Sequence, residues 1–313
     1  MRFAKFIFSV LIICLVVMAL LEYAYRNYST WAARIFIPYY RNARTIETIY
    51  IGNSHMEVLS LAISEEIKTV GNLSLGGQDI FLMYAAIKTV IPKSPALKKI
   101  YLGLDYDLIG YNQTKSGQEY IDRDYYEFTG ELYNNTLTNR LMSRSNFFRS
   151  NRNIEYLFNW NLKKNKRINF IPLNSIPMGL YADTSLLPAS PSHRKVDSFM
   201  CRKRAEEHSI LKFKRKNISE NLEFLERIVL LCTKYKIEII LVNPPKPECY
   251  KNFCNKDNII FAKHVIDSFT STNKIQYLDF YNDTAFFNDD LYVDDDHLNA
   301  IGAKIFCDKL FSY

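Results

Sequence analysis

Short apolar segments rich in β-branched residues alternate along this chain with segments of helical periodicity. Five of the apolar segments are predicted as strands, at residues 46–51, 70–75, 99–104, 237–242 and 275–280. Helices are predicted between or after them, at residues 56–67, 78–91, 217–232, 259–269 and 298–310. Strands separated by helices need crossover connections, which make the strands parallel and cover both faces of the sheet. The alternation therefore predicts an α/β fold of three layers, α/β/α, around a parallel sheet of about five strands.

An uncharged apolar run at residues 6–21 precedes the first predicted strand. It is close to the length that spans a bilayer, so residues 1–26 are predicted to form a signal anchor, a transmembrane helix. A cleaved signal peptide is the alternative, although no small-x-small cleavage site follows the run. Both interpretations export the rest of the chain. The expected location is the membrane, with the bulk of the chain extracytoplasmic, in a periplasm or at a cell surface.

Residues 106–216 interrupt the alternation of strands and helices. We interpret them as a long basic insertion or cap subdomain, and residues 27–105 with 217–313 as the α/β domain. Between residues 152 and 216 there are 14 Lys and Arg against 5 Asp and Glu, whereas the whole chain carries a net charge of +7. Such a surface suits phosphate-rich lipid or an anionic polymer, and a solvated basic face remains the alternative. Export argues against nucleic acid as a partner.

The cysteines give no sign of a structural metal site. The chain has 6 cysteines, without a C-x-x-C motif or Cys/His pairs at zinc spacing. Cys249 and Cys254 are close enough in sequence to close a small disulfide loop, or they remain two thiols. Because dinucleotide and P-loop motifs are also missing from the sequence, neither a metal nor a cofactor is expected.

Ser54 follows the first predicted strand in the turn Gly-Asn-Ser-His. A serine at the carboxyl end of a parallel strand, where a helix begins, lies at the crevice in which α/β folds bind ligands. Serine is also a common helix N-cap, so a purely structural role stays open.

His297 lies near the other end of the chain, three residues after Asp294. A catalytic histidine needs a carboxylate to hold its tautomer, and Asp294 is one turn away, with Asp296 as a second candidate. Asp295 and Asp296 are otherwise expected to be solvated. The other histidines outside the Ser54 turn, His193, His208 and His264, are expected at the surface.

The order Ser, Asp, His resembles the SGNH/GDSL hydrolase superfamily, especially its membrane-tethered branch. That branch includes cell-envelope polysaccharide O-acetyltransferase-like proteins and the D-alanyl transfer protein of teichoic acid systems. The resemblance is carried by residues 52–55, by 72–77 and by the Asp-x-x-His-Leu-Asn-x-x-Gly segment at 294–302. It implies a flavodoxin-like sheet of the SGNH type. It further implies that Ser54 is the nucleophile, that His297 is the general base and acid, and that Asp294 orients His297.

The resemblance also implies an oxyanion hole. Its donors would be the backbone N–H of Ser54, that of Gly76 or Gly77, and an Asn side chain in a third block. The third block here is Gly-Leu-Asp, ending at Asp105, and a carboxylate does not donate hydrogen bonds. Losing one such donor typically costs about 10²- to 10³-fold in rate. Asn243, at the end of the fourth strand, is a candidate substitute.

A second departure lies beside the nucleophile, where Asn53 replaces the usual Asp of Gly-Asp-Ser. His55 and Asp105 are candidate substrate contacts. We therefore expect an exported, membrane-anchored serine acyl esterase or acyltransferase that acts on a cell-envelope glycan or acylated carbohydrate, with a membrane acyl-transfer protein as a potential partner. The alternative is a non-catalytic protein with a degenerate site that binds a glycan or a partner.

Overall fold

The computed structural model describes residues 2–26, 31–63, 69–113, 115, 119–145 and 196–313. His193 and most of the basic segment that begins at residue 152 lie outside the described residues. The strands are β1 (Thr48–Ile51), β2 (Val70–Asn72), β3 (Lys99–Gly103), β4 (Glu238–Asn243) and β5 (Gln276–Asp279). The α-helices are α1 (Arg2–Arg26), α2 (Trp31–Asn42), α3 (Ser54–Glu57), α4 (Ile80–Val90), α5 (Glu119–Thr129), α6 (Leu137–Arg144), α7 (Ser198–Glu206), α8 (Ile218–Tyr235), α9 (Glu248–Phe253), α10 (Lys256–Asn273) and α11 (Ala300–Phe311).

The five strands form one parallel sheet in the order β2-β1-β3-β4-β5. Ile49 of β1 pairs with Gly71 on one side and with Ile100 of β3 on the other. The chain moves outward from β1 to β2 and then returns past β1 to β3, so the direction of winding reverses between β1 and β3. The carboxyl ends of these two strands border a crevice, the usual binding position in such sheets. The predicted three-layer fold with a parallel five-stranded sheet is confirmed.

Alternate side chains of each strand enter two separate hydrophobic layers. Ile49 and Ile51 pack on one face with α2, α4, α8 and α10, whereas Tyr50 faces the opposite side, where α11 packs. On that second face the rings of Tyr50 and Tyr101 stack at 5.1 Å between centroids. The twofold alternation in β1 follows from strand geometry, and burial of both faces explains why Ile49, Tyr50 and Ile51 are all apolar.

The helix predicted at residues 56–67 is wrong in its extent. Up to residue 63 the structure has α3, followed by a 3-10 turn at Val58–Leu61, and residues 64–67 of the predicted helix lie outside the described residues. The Asn72 amide donates hydrogen bonds to the backbone oxygens of Met56 at 3.1 Å and Glu57 at 3.4 Å. These carbonyls are thereby shared with a side chain from β2, a contact that sequence periodicity does not reveal.

One helix among the described residues is long and apolar enough to cross a membrane, namely Phe3–Tyr23 within α1, and the structure leaves it exposed. The same length and composition fit a signal sequence, so both sequence interpretations stay open. Two helices of the predicted insertion pack against helices outside it: α5 packs against α2 and α4, and α7 packs against α9. The domain boundaries at residues 105/106 and 216/217 stay predictions.

Candidate active site

Ser54 lies at the crevice between β1 and β3, immediately after the turn that ends β1. The two strand ends approach closely, since a Cβ atom on Gly52 would lie 3.2 Å from the Cα of Gly103. Asn53 caps α3, because its Oδ1 accepts a hydrogen bond from the backbone N–H of His55 at 3.0 Å. These contacts hold the partly exposed Ser54 at the carboxyl edge of the sheet.

His297 is presented by a tight loop immediately before α11. The Val293 N–H donates to the His297 carbonyl at 2.9 Å, and the Asn299 N–H donates to the Leu291 carbonyl at 2.8 Å. Asn299 also caps α11, since its Oδ1 accepts from the Gly302 N–H at 3.1 Å. A Cβ atom at Gly302 would lie 2.4 Å from the Leu291 oxygen. The His-Leu-Asn-x-x-Gly spacing thus builds the loop itself.

The structure brings Ser54, His297 and Asp294 together in one hydrogen-bonded chain. The Oγ of Ser54 lies 2.8 Å from Nε2 of His297, and Nδ1 of His297 lies 3.0 Å from Oδ1 of Asp294. Oδ1 of Asp294 also accepts from the backbone N–H of His297 at 2.9 Å, which fixes this carboxylate. Asp296 places its Oδ1 3.1 Å from the same Nδ1. Both candidate acids therefore contact the histidine.

The expectation that Asp295 and Asp296 are solvated is wrong, because each is only 1% exposed. The segment around α7 packs over them. Arg204 of α7 lies with its Nε 3.4 Å from Oδ1 of Asp296, and the Asp197 N–H donates to Asp295 at 3.4 Å. His208, expected at the surface, is also packed here, with Nδ1 3.7 Å from Oδ2 of Asp296.

The two carboxylates dominate the charge state of His297. Burial alone disfavours the imidazolium, but Asp296 and Asp294 outweigh it and raise the pKa of His297 to about 10. Burial likewise opposes ionisation of Asp296, yet His297, His55 and Arg204 hold the pKa of that carboxyl well below its usual range. The two carboxylates therefore favour the imidazolium form of His297 in the resting site.

The rate of covalent modification at Ser54 should rise with pH through the high pKa of His297, since only neutral imidazole accepts the serine proton. Asp296→Asn removes one negative charge, so the pKa of His297 should fall and the acid limb should move to lower pH by about 1 to 3 units. The measurement is the pH dependence of labelling by a fluorophosphonate. Asp308→Asn, at an exposed pair with Lys304, is the control and should leave the limb in place. An unchanged or upward-moved limb in Asp296→Asn would contradict the assigned charge coupling.

A second buried polar group lies beside Ser54 and contains Asn53 and Asp105, the two positions that depart from the pattern that the sequence resembles. The Asn53 amide donates to Oδ2 of Asp105 at 2.8 Å. Nδ1 of His55 contacts the same Oδ2, and Nε2 of His55 lies 3.2 Å from Oδ2 of Asp296. The unusual Asn53 and the unusual Asp105 are therefore hydrogen-bonded partners. His55 is 4% exposed and bridges two carboxylates, so it does not point to solvent.

Lys246 is the cation of this group. It is 1% exposed, and its Nζ lies 2.6 Å from Nδ1 and 2.5 Å from Nε2 of His55, and 3.5 Å from Asp105. Burial opposes ionisation of Asp105, but Lys246 and His55 outweigh it and hold the pKa of this carboxyl well below its usual range. A lysine immediately after Pro244-Pro245 carries no pattern that predicts such burial.

Two of the candidate oxyanion donors are engaged elsewhere in this structure. The Gly76 N–H donates to Oε2 of Glu57 at 2.8 Å, and the buried Asn243 amide donates to Oδ1 of Asp279 at 3.0 Å. Gly77 has a φ of +77°, a backbone conformation that favours glycine. The proposed donor roles of Gly76, Gly77, Asn243 and the Ser54 N–H stay predictions.

One group of side chains has the spacing of a metal site. Ligand atoms of His55, Asp296 and His297 lie within 4.8 Å of one another. The Lys246 ammonium, however, contacts both ring nitrogens of His55. A second positive charge at this position is disfavoured, so this arrangement fits a metal ion poorly.

Comparisons with known proteins find several structural neighbours, including two at low identity. One is a protein from Bacteroides fragilis NCTC 9343, provisionally assigned as an acylhydrolase, with 9% identity and a TM-score of 0.40 over 87% of this chain and 91% of that chain. The other is the acetyl xylan esterase AlAXEase, with 12% identity and a TM-score of 0.39 over 85% of this chain and 98% of that chain. No protein-family model matches the sequence, and no curated protein matches it. The chemistry of the site therefore rests on the contacts of this chain's own side chains.

Proposed function

We propose that this protein is a serine acyl esterase or acyltransferase of the SGNH type, which works through an acyl-enzyme on Ser54. The observation that carries the proposal is the chain from Ser54 Oγ to His297 Nε2 at 2.8 Å and from His297 Nδ1 to Asp294 at 3.0 Å. A hydroxyl, a histidine and an orienting carboxylate in this order form an activated nucleophile.

In the first half-reaction neutral His297 accepts the Ser54 proton as Oγ attacks the acyl carbonyl. The resulting imidazolium is stabilised by Asp294 and Asp296, and it returns the proton to the departing alcohol. The acyl-enzyme is then cleaved by an acceptor whose hydroxyl is deprotonated by the same histidine. If the acceptor is water the reaction is hydrolysis, and if it is a sugar hydroxyl the reaction is transfer.

The cellular setting is part of the proposal. Phe3–Tyr23 has the length and composition of a membrane anchor, and an anchored site meets lipid-linked or envelope substrates at the membrane surface. On the resemblance to the membrane-tethered SGNH branch, the substrate would be a cell-envelope glycan or acylated carbohydrate. A membrane acyl-transfer protein would then supply the acyl group, with the bulk of this chain extracytoplasmic.

Intact-mass analysis after fluorophosphonate treatment tests the chemistry without the natural substrate. We expect one adduct on the full chain in detergent, none on Ser54→Ala and almost none on His297→Ala. Ser268→Ala and His264→Ala change exposed residues of α10 and should label like the wild type. An adduct that persists in Ser54→Ala would show that another nucleophile reacts.

A non-catalytic binding protein is the second candidate. It is favoured by the acceptor-only carboxylate of Asp105 and by the Gly76 N–H, which already donates to Glu57. Under this alternative the folded wild type forms no adduct at any pH, although Ser54 and His297 remain in contact.

A further inference from the structure

Two thiols meet where α7 packs against α9. Cys201 of α7 is fully buried, and Cys249 of α9 is partly exposed. Burial, and next the adjacent Cys249 side chain, raise the pKa of the Cys201 thiol. Helices α7 and α9 pack against each other, and the guanidinium of Arg202 on α7 lies 4.8 Å from the ring centroid of Phe253 on α9. The two thiols are therefore neighbours at a packed interface.

Cys254, the other cysteine near Cys249, faces a different set of side chains. It packs in a buried cluster with Tyr250 and Ala205, and it lies one residue beyond the end of α9. Five positions along a helix correspond to about 140° of rotation, so these side chains point in different directions. The pair that the sequence suggests, Cys249 with Cys254, is less suited to bonding than Cys201 with Cys249.

We propose that Cys201 and Cys249 form a disulfide bond once the chain is exported. The cellular setting of this inference rests on the proposed function, because disulfides persist in oxidising compartments. The oxidant is a small-molecule or protein disulfide. The Cys249 thiolate attacks it and releases one thiol, and the Cys201 thiolate then attacks the Cys249 sulfur and releases the second. Two protein thiols and one disulfide become one protein disulfide and two thiols.

The bond would fasten the segment that covers the acidic loop. Arg204, one turn after Cys201, pairs with Asp296, and the His208 ring lies beside Tyr250 of α9 with Nδ1 3.2 Å from its hydroxyl. A covalent link from α7 to α9 closes the chain between residues 201 and 249, which disfavours the unfolded state. The disulfide would therefore keep Arg204 against Asp296, next to His297.

Peptide mass mapping tests the bond directly. The full chain in detergent is equilibrated with oxidised glutathione, unreacted thiols are alkylated, and trypsin is added. Cleavage after Lys and Arg separates the three cysteines into peptides 196–202, 237–251 and 252–256. We expect peptides 196–202 and 237–251 to be linked, and the link to be lost on reduction. A link between 237–251 and 252–256, or three alkylated thiols, would overturn the proposal.

Thermal denaturation gives a second measurement that does not depend on peptide recovery. Dithiothreitol should lower the midpoint of the oxidised wild type and of Cys254→Ser, but leave that of Cys201→Ser unchanged. Each variant is compared with itself, with and without dithiothreitol, so that any effect of the substitution on packing cancels in the change of the midpoint. An equal response in Cys201→Ser and the wild type would contradict the bond. Neither measurement depends on Ser54, so the two proposals can fail separately. If Ser54 is labelled by the fluorophosphonate but the thiols stay free, only the disulfide is overturned. If the peptides are linked but Ser54 is not labelled, only the proposed acyl-transfer chemistry is overturned.

Discussion

Replacing Ser54 with alanine should lower the rate of ester cleavage by about 10⁴-fold or more, because nucleophile and base act as one unit. The reason lies in the 2.8 Å contact between Ser54 Oγ and His297 Nε2. Without the hydroxyl no acyl-enzyme can form, and only the binding of the ester near the loop remains. The rate is measured with p-nitrophenyl acetate on the full chain in detergent.

The matched substitution at the base sharpens this prediction. His297→Ala should lose activity to a similar extent, and the double variant with Ser54→Ala should lose little more, since a missing partner leaves the other without a role. Ser268→Ala and His264→Ala serve as exposed controls on α10. Losses that multiply in the double variant would contradict a joint action of Ser54 and His297.

Much of the fold follows from local sequence pattern. Strands buried on both faces are continuously apolar, so residues 99–104 and 237–242 predict β3 and β4 to within one residue at each end. The helix predicted at residues 56–67 starts too late and extends too far, since α3 covers Ser54–Glu57. The carbonyls of Met56 and Glu57 accept hydrogen bonds from the Asn72 amide of β2. Propensity describes neighbours along the chain, and this contact joins residues that are distant in sequence.

In the candidate site, too, contacts between residues close in sequence could be predicted and contacts between distant residues could not. Asp294 and His297 are three residues apart, and their contact is closed within one loop, so a spacing motif is enough to predict it. The contact of Asp296 could not be predicted from the motif, because its partner Arg204 belongs to α7 and is distant in sequence. A run of three aspartates ordinarily indicates a solvated loop, and nothing in it shows which member is covered.

Asn53 and Asp105 are the two positions that depart from the pattern that the sequence resembles. Considering each position alone misses the contact between them. Taken separately, Asn53 in place of Asp and Asp105 in place of Asn each suggest a weakened site. In the structure the amide of Asn53 donates to the carboxylate of Asp105, so the two positions are hydrogen-bonded partners. The remaining negative charge explains why a cation, Lys246, is buried beside it.

Lys246→Met should destabilise the fold by about 3–5 kcal/mol, because it leaves the buried carboxylate of Asp105 without its ammonium. Lys246 and Asp105 are each 1% exposed, so water cannot replace the lost partner. Lys263→Met is the control, since Lys263 is 49% exposed and pairs with exposed Asp267. That change should cost less than about 1 kcal/mol. The free energy of unfolding is obtained from urea titration in a mild detergent.

A double-variant cycle then separates loss of charge pairing from loss of packing. Asp105→Asn keeps the shape of the side chain but removes its charge, so adding it to Lys246→Met should recover part of the lost stability. A purely steric role for Lys246 predicts additive losses instead. Because His55 touches Lys246, Asp105 and Asp296, recovery of stability without recovery of the labelling rate would show that this cation also tunes the neighbouring Ser54–His297 pair. Recovery of both would confine Lys246 to neutralising the buried carboxylate of Asp105.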